Sequence, residues 1–144
     1  MRPATKMSDE DCIFCKIVRG EIPCVRVYED DDVLGFLDIN PLSHGHTLVI
    51  PKEHFGSLDQ CPENVVAALA GKLPVIAKAL ISVVGGSAYN VLNNNGREAG
   101  QLVEHVHFHI IPRRAGDGLL NHGPQGRYSD GQGEELARQI RQSF

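Results

Sequence analysis

The chain has 144 residues, a hydrophobic content of 42% and a formal net charge of −4 at pH 7. This length suits one domain with a proper core, and the negative charge argues against a dedicated nucleic-acid surface, which is usually basic. No run of 18 apolar residues predicts a membrane span, and the N-terminus has no signal-peptide-like apolar segment. We therefore expect a soluble cytoplasmic protein with a mobile tail over residues 1–10, one domain over residues 11–144, and neither nucleic acid nor membrane as a partner.

The first predicted element is a compact segment that carries two cysteines. Cys12 and Cys15 have the spacing C-x₂-C, which zinc sites often use. In a reducing compartment, metal binding or simple burial is more common for such residues than a disulfide framework. The sequence alone leaves a zinc site, a redox pair and a coincidence open.

Three strands are predicted in the next part of the chain. Alternating apolar residues indicate strands over residues 25–29 and 33–37, joined by an acidic turn at residues 30–32. A loop at residues 40–45 leads into a third strand over residues 46–50. Because the connections are short, the three strands are predicted to form an antiparallel meander.

A long helix and a second strand pair are predicted after the meander. The apolar residues of segment 62–84 follow a helical period, and Pro74 within it predicts a kink or two abutting helices, because proline removes a helical hydrogen bond. Residues 89–93 and 102–112 predict an antiparallel pair of strands around a polar loop. Residues 134–144 predict a short amphipathic helix.

Three of the seven histidines alternate in the last predicted strand. Alternate side chains of a strand share one face, so His105, His107 and His109 are expected on the same face. Imidazole can act as nucleophile, proton carrier or metal ligand near neutral pH, although a surface strand with polar histidines is the simpler alternative. With no Lys or Arg on this face, protonated imidazole and backbone N–H groups of loop 94–100 would stabilise a phosphate charge.

These motifs, taken in order, resemble those of the histidine triad (HIT) family. The similarity is to the bacterial, zinc-containing members of the branch that hydrolyses purine nucleotide phosphoramidates, and it covers residues 11–112. It rests on segments 12–17, 38–39, 45–54, 93–96, 100–101 and 105–111. The resemblance implies an α+β fold with a five-stranded antiparallel sheet and helices, and a homodimer that joins two sheets into one of ten strands.

The resemblance also implies roles for individual residues. His107 would be the nucleophile that becomes nucleotidylated, His109 would contact the phosphate, and His46 would support His109. Asp38 would bind the ribose of the nucleotide, and Asn93 and Gln101 would lie near its α-phosphate. The base would be surrounded by four apolar residues, Ile13, Phe14, Ile39 and Leu48. Three further apolar residues fit either the base pocket or the core: Ile17, Ile22 and Phe36.

The resemblance implies one metal ion as well. A structural zinc would be held by four ligands, Cys12, Cys15, His54 and His105. Two thiolates and two imidazoles form a closed tetrahedral site, which leaves no open position to activate water. The other cysteines and unmatched histidines would be plain core, surface or loop residues: Cys24, Cys61, His44 and His122.

One position departs from the family pattern. Leu102 stands where the family usually has Ser or Thr, whose hydroxyl contacts the phosphate and helps to protonate an amine leaving group. The leading hypothesis is a hydrolase or transferase that cleaves AMP or GMP conjugates at the α-phosphate through a nucleotidyl-histidine. Leu102 favours an alternative, a nucleotide-binding regulatory module with little turnover. A zinc or redox protein built on the cysteine pair is the third hypothesis.

Overall fold

In the computed structural model, which describes residues 9–119 and 125–144, five strands form one antiparallel sheet in the order β1-β2-β3-β5-β4. The strands are β1 (Arg26–Glu29), β2 (Val33–Leu37), β3 (Thr47–Pro51), β4 (Ala88–Leu92) and β5 (Phe108–Arg113). Both the predicted meander and the predicted second pair are present. The predicted five-stranded antiparallel sheet is therefore confirmed. Most of the predicted N-terminal tail, and His122, lie outside the described residues.

Three α-helices and two short 3₁₀ turns complete the described structure. The helices are α1 (Ile13–Val18), α2 (Glu63–Val84) and α3 (Gln132–Arg141), and the turns are Leu58–Gln60 and Arg97–Ala99. α2 continues through Pro74, so the predicted alternative of two abutting helices is wrong. Proline leaves the carbonyl of Ala70 without its helical donor, but Ala70 is exposed, and water can replace that bond.

Both faces of the sheet are covered by helices. α2 packs on one face through an apolar cluster of Val33, Val49, Leu69, Ile76, Ala77 and Ile110. α1 packs on the other through Phe14, Ile17, Leu34, Phe36, Leu48 and Ile50. Residues of β2 and β3 alternate between the two clusters, as the two-residue period of a strand requires.

α2 is the longest element of the described structure. Within the described residues it is the one helix long and apolar enough to cross a membrane by length and composition, a test that core helices also pass. Its buried residues pack against the sheet, as in a core helix. Much of its remaining apolar surface is exposed, including Val75 and Val83.

The histidine strand is shorter than predicted. β5 begins at Phe108, so His105 and His107 precede it in irregular backbone. The N–H of Val106 donates to the carbonyl of Phe55 at 2.7 Å, outside the ladder of the sheet. Both early histidines are buried, together with Val106 between them. Strict alternation therefore fails here, and local contacts orient these rings.

Candidate active site

Three histidines converge where β5 begins. The rings of His107 and His109 have centroids 5.0 Å apart, and the ring of His46, just before β3, lies 5.1 Å from that of His109. Pairing of Leu48 with His109 in the β3–β5 ladder brings these segments together. His46 and His107 are almost fully buried, whereas His109 is partly exposed. The structure therefore brings together the three residues that the sequence analysis assigned to catalysis.

A backbone carbonyl fixes the tautomer of His107. Its Nδ1 lies 2.7 Å from the carbonyl oxygen of His105, and because a carbonyl only accepts, Nδ1 must carry the proton. In the neutral ring Nε2 then holds a free lone pair, as a nucleophile requires. The edge of Phe14 packs against this ring at 5.2 Å and an interplanar angle of 87°. His107 is thus held as an oriented, neutral imidazole.

A second chain of hydrogen bonds fixes His46 and His109. The N–H of Leu42 donates to Nδ1 of His46 at 3.0 Å, so the proton of this ring is on Nε2. That Nε2 lies 2.9 Å from Nδ1 of His109 and donates to it. The proton of His109 is then on its Nε2, where it can donate to a phosphate oxygen beside His107.

Burial keeps these imidazoles uncharged. It lowers the pKa of His109 to about 4, with further lowering by His107 and His46 and an opposing effect of Asp38. Burial also lowers the pKa of His46 and of His107, and Asp38 opposes it in both. Without a bound phosphate these rings are therefore neutral and offer N–H donors to the site. Stabilisation of a bound phosphate by protonated imidazole stays a prediction.

The depressed pKa of His109 predicts a pH-dependent stability. The unfolded chain, with a pKa near 6.5, binds more protons than the folded chain between pH 6.5 and 4, so stability is lost as pH falls through this window. Between pH 7 and 5 we expect His109 to account for a loss of about 1–2 kcal/mol. Urea unfolding at both pH values should show this excess loss relative to His109→Gln, in which His46, His107 and Asp38 are retained. Equal losses in the two proteins would contradict it.

The loop before the histidines is held together by amide side chains. Asn93 donates to the carbonyl of His107 at 2.8 Å, and Asn95, which the sequence analysis missed, donates to Asn93. Gln101 donates to the carbonyls of Gly56 and Val103 at 2.7 and 2.9 Å. Gln101 therefore shapes the loop with both of its donors, and its contact with a phosphate stays a prediction.

The glycine N–H groups of this loop are engaged within it. Gly96 donates to the side-chain oxygen of Gln101 at 2.8 Å, and Gly100 donates to the carbonyl of Arg97 at 2.9 Å. Both glycines have positive φ, of 94° and 95°, which suits residues without a Cβ. Their conformational freedom builds the turn, and in this conformation neither N–H is directed to a ligand.

Asp38 follows β2 and lies beside the histidines. One oxygen of its carboxylate is 3.7 Å from Nε2 of His46, and the other accepts from the N–H of Asn40 at 2.9 Å. Gly45, next to His46, packs closely against α2, because a Cβ on Gly45 would lie 2.8 Å from the side chain of Val84. The N–H of Asp38 donates to the carbonyl of His46 at 2.9 Å, and this backbone bond holds the two residues together.

The residues predicted to surround the base fall into two groups. Phe14 and Leu48 are buried in the core cluster, with 6% of each exposed, whereas Ile13 and Ile39 are 45% and 85% exposed. The alternatives left open are placed mainly in the core: Ile17 and Phe36 are buried in it, and Ile22 is partly buried against it. Cys24 and Cys61 likewise pack, partly buried, against apolar clusters. Nucleotide contacts by these residues stay predictions.

The two cysteines and two histidines predicted to bind metal form one cluster. Nδ1 of His105 lies 3.2 Å from Nδ1 of His54 and 3.5 and 3.6 Å from the sulfurs of Cys12 and Cys15. A tetrahedral zinc ion would separate two nitrogens by about 3.3 Å and a nitrogen and a sulfur by about 3.5 Å. The geometry therefore fits a metal ion of this kind without rearrangement.

Hydrogen bonds also orient the four side chains whose atoms would bind the metal. Nε2 of His105 donates to the carbonyl of Pro51 at 2.8 Å, which leaves the Nδ1 lone pair facing the sulfurs. The N–H of Cys15 donates to the sulfur of Cys12, and the N–H of Asp9 donates to the sulfur of Cys15, each at 3.4 Å. Without a metal, burial raises the pKa of Cys12 to about 11, so this thiol loses its proton only when a cation replaces it.

A second group of possible metal ligands is Asp38, His46 and His109. The atom of His46 that faces this group is Nε2, and the hydrogen bond from Leu42 to Nδ1 leaves the proton on Nε2. A protonated nitrogen has no lone pair for a metal. This trio is therefore organised by hydrogen bonds, and the cysteine-containing cluster is the better metal site.

The chain is similar to known proteins over most of its length. The family model described as "HIT domain" matches residues 19–116. The adenylylsulfatase HINT3 of Arabidopsis thaliana is 53% identical over 109 residues, which are 76% of this chain and 55% of that protein. The adenosine 5'-monophosphoramidase hnt1 of Schizosaccharomyces pombe is 52% identical over 102 residues, 71% of this chain and 74% of that one.

Solved structures include a relative that contains zinc. The crystal structure of a Zn-bound histidine triad family protein from Mycobacterium smegmatis superposes with a TM-score of 0.72 at 37% identity, and the match covers 93% of this chain and 98% of that one. The chain spans only about half the length of the Arabidopsis relative. The fold and the arrangement of the sheet are thus shared with proteins of this kind.

Proposed function

This chain belongs to the HIT domain family, and from that premise we propose that it is a nucleotide hydrolase or transferase that cleaves AMP or GMP conjugates at the α-phosphate. Two relatives carry names of such activities, adenylylsulfatase and adenosine 5'-monophosphoramidase. The observation that carries the proposal is the pair of tautomers at the site. His107 presents a bare Nε2, and His109 presents an N–H beside it.

The reaction follows from these two atoms in two steps. Nε2 of His107 attacks the α-phosphorus, the bond from phosphorus to the leaving group breaks, and the leaving group departs with the electron pair and takes up a proton. The His105 carbonyl stabilises the ring as it becomes cationic, because Nδ1–H donates to it. His109 donates to a non-bridging oxygen throughout. Water then attacks phosphorus and gives up a proton to solvent, which balances the proton that the leaving group took from solvent in the first step. The bond from phosphorus to Nε2 breaks, the nucleoside monophosphate is released and His107 is again neutral.

A panel of AMP conjugates tests this proposal. Adenosine phosphoramidate, an aminoacyl adenylate, adenylylsulfate and a dinucleoside polyphosphate should be offered with GMP counterparts, and release of monophosphate measured. The enzyme hypothesis requires turnover of at least one. Micromolar binding of AMP, which corresponds to a binding free energy of roughly −8 kcal/mol, without turnover of any of these substrates would favour the regulatory module instead.

We further propose that the cysteine and histidine cluster holds a structural zinc ion and that the protein is a cytoplasmic homodimer. The ligand spacing supports zinc, as does the zinc-bound relative. When bound, the ion would tie the start of α1 to the segment before β5 through Cys15 and His105. None of the four cysteines forms a disulfide within the described residues, in keeping with a reducing compartment. The exposed edge of β4 supports pairing of two sheets.

Asp38 is proposed to bind the ribose, which gives a prediction for Asp38→Asn. Asparagine retains an oxygen for the N–H of Asn40 but loses the charge that would accept two hydroxyl hydrogens. We expect KM for an adenosine phosphoramidate to rise about tenfold, with a smaller change in kcat. The control is the 2',3'-dideoxy substrate, for which wild type and variant should have the same KM. An equal rise with both substrates would contradict the ribose contact.

Leu102 is proposed to limit proton delivery to amine leaving groups. Its side chain is 91% exposed and has no hydroxyl. Leu102→Ser should raise kcat for the phosphoramidate about tenfold and change kcat little for a substrate whose leaving group needs no proton. Leu102→Ala is the matched control, since it removes the same bulk without adding a hydroxyl. An equal gain in the alanine variant would show that bulk, not proton supply, is limiting.

A further inference from the structure

An open apolar groove runs between the C-terminal half of α2 and strands β1 and β2. Its cavity volume is about 580 Å³, and its walls include Val27, Tyr28, Leu37, Val75, Leu80 and Val83. Val27, Val75 and Val83 are 48%, 53% and 85% exposed. Contiguous apolar surface of this extent on a soluble protein usually marks an interaction site. We therefore expect another apolar segment to pack in this groove.

α3 is an amphipathic helix with little packing of its own among the described residues. All ten residues of α3 are described by the structure, and none is buried. Leu136 and Ile140 lie four residues apart and form one apolar stripe of α3, with 40% and 50% exposure, and Phe144, three residues beyond the end of the helix, is fully exposed. An isolated helix of ten residues is marginal in water, and most helices in proteins are stabilised by packing of such a stripe.

The helix and the groove match in length and in charge. Ten residues of α3 extend about 15 Å, and the α2 wall of the groove, from Val75 to Val84, has ten residues and the same length. Lys72 lies over the ring of Tyr28 at one end of the groove, 5.9 Å from its centroid. The first turn of α3 carries Glu134 and Glu135. Pairing of these charges would orient a docked α3 parallel to α2, with Lys72 also lying 4.0 Å from Asp30.

We infer that α3 of a second copy of this chain docks in the groove. One chain folds with its groove open and its α3 stripe exposed at the same time, so both surfaces are available to another copy. A two-fold exchange of helices covers both grooves and both stripes in one closed assembly. The groove borders the proposed active site, because Asp38 and His46 also line it. The contact does not involve the edge of β4, and its test by crosslinking does not depend on activity.

Crosslinking between two differently tagged chains tests the exchange. One chain carries Val83→Cys and the other Ile140→Cys, both in the zinc-loaded full-length protein with Cys24 and Cys61 replaced by serine. After mixing and treatment with a short bismaleimide, we expect a covalent dimer that contains both tags. The matched control replaces Ile140→Cys by Arg138→Cys, which lies on the opposite face of α3 and should give no mixed dimer.

Two further variants decide between the possible occupants of the groove. Adding Leu136→Asp to the Ile140→Cys chain should abolish the mixed dimer, because it places a charge in the apolar contact. In a chain with both cysteines, a crosslink within one chain would overturn the exchange and show that α3 covers its own groove. Absence of either crosslink would overturn α3 as the occupant, as would a mixed dimer that persists with Leu136→Asp.

Discussion

His107→Asn is expected to lower kcat for an adenosine phosphoramidate by at least about 10⁴-fold, the scale on which the loss of a nucleophile is felt. The asparagine amide can still donate to the His105 carbonyl, the bond that His107 makes at 2.7 Å, so the local backbone should be preserved. The variant lacks a lone pair directed at phosphorus. Single-turnover measurements at saturating substrate would separate this chemical defect from weaker binding.

Nucleotide affinity is the control for this variant. Asp38, His46 and His109 are unchanged, so we expect Kd for AMP to change by only a few-fold while turnover is lost. A variant that retains turnover would exclude His107 as the nucleophile. A variant that loses affinity and turnover in the same proportion would indicate a binding role for His107 and favour the regulatory module.

Loss of the metal cluster is expected to have the largest effect on stability. Cys15→Ser removes one of four ligands, and the sulfur of Cys15 lies 3.3 Å from Nδ1 of His54 and 3.6 Å from Nδ1 of His105. We expect the variant to bind zinc at well below one ion per chain and to lose about 3–5 kcal/mol of unfolding free energy. Metal analysis together with urea unfolding measures both quantities.

Cys24→Ser is the matched control for the cluster. Cys24 is also partly buried, but it packs against the apolar core and takes no part in the cluster. A strong chelator should reproduce the loss in the wild type and in Cys24→Ser and have no further effect on Cys15→Ser. If Cys15→Ser and Cys24→Ser lost equal stability and equal zinc, the cluster would not be the metal site.

The metal cluster and the active site share a structural support. The ring of Phe14 on α1 contacts His105 at 5.8 Å and His107 at 5.2 Å between centroids. α1 begins at the cysteine pair, since Cys12 caps its N-terminus. A metal ion in this cluster would therefore fix α1, and α1 positions the ring that packs against His107, the proposed nucleophile. Phe14 was predicted to line the base pocket, and its contact with both histidines was not predicted.

The regular elements were predictable because each has a clear local period. β2 was predicted with its observed bounds, 33–37, from alternating residues between two turns. The helical period of α2 was strong enough to give both ends to within a residue. By contrast, β5 starts later than predicted, because the bond from Val106 to Phe55 and the cluster around His105 compete with the sheet ladder.

The chemistry of the site depends partly on groups that a sequence does not display. The tautomers of His46, His105 and His107 are set by backbone groups of Leu42, Pro51 and His105. Any residue supplies such groups, so no residue pattern marks them. Burial, which keeps the imidazoles neutral, is likewise a property of packing around the three rings. The sequence motifs indicated which histidines converge, and the structure was needed for their protonation.

Trapping the covalent intermediate tests the central claim most directly. The enzyme should be mixed with an adenosine phosphoramidate, quenched within one turnover into alkali, in which a phosphorus–imidazole bond survives, digested and mapped by mass spectrometry. We predict an adenylyl group on the peptide that contains His107, located at His107 by fragmentation and absent from His107→Asn. Turnover with no adduct on any histidine, or an adduct at His109 instead, would contradict the account.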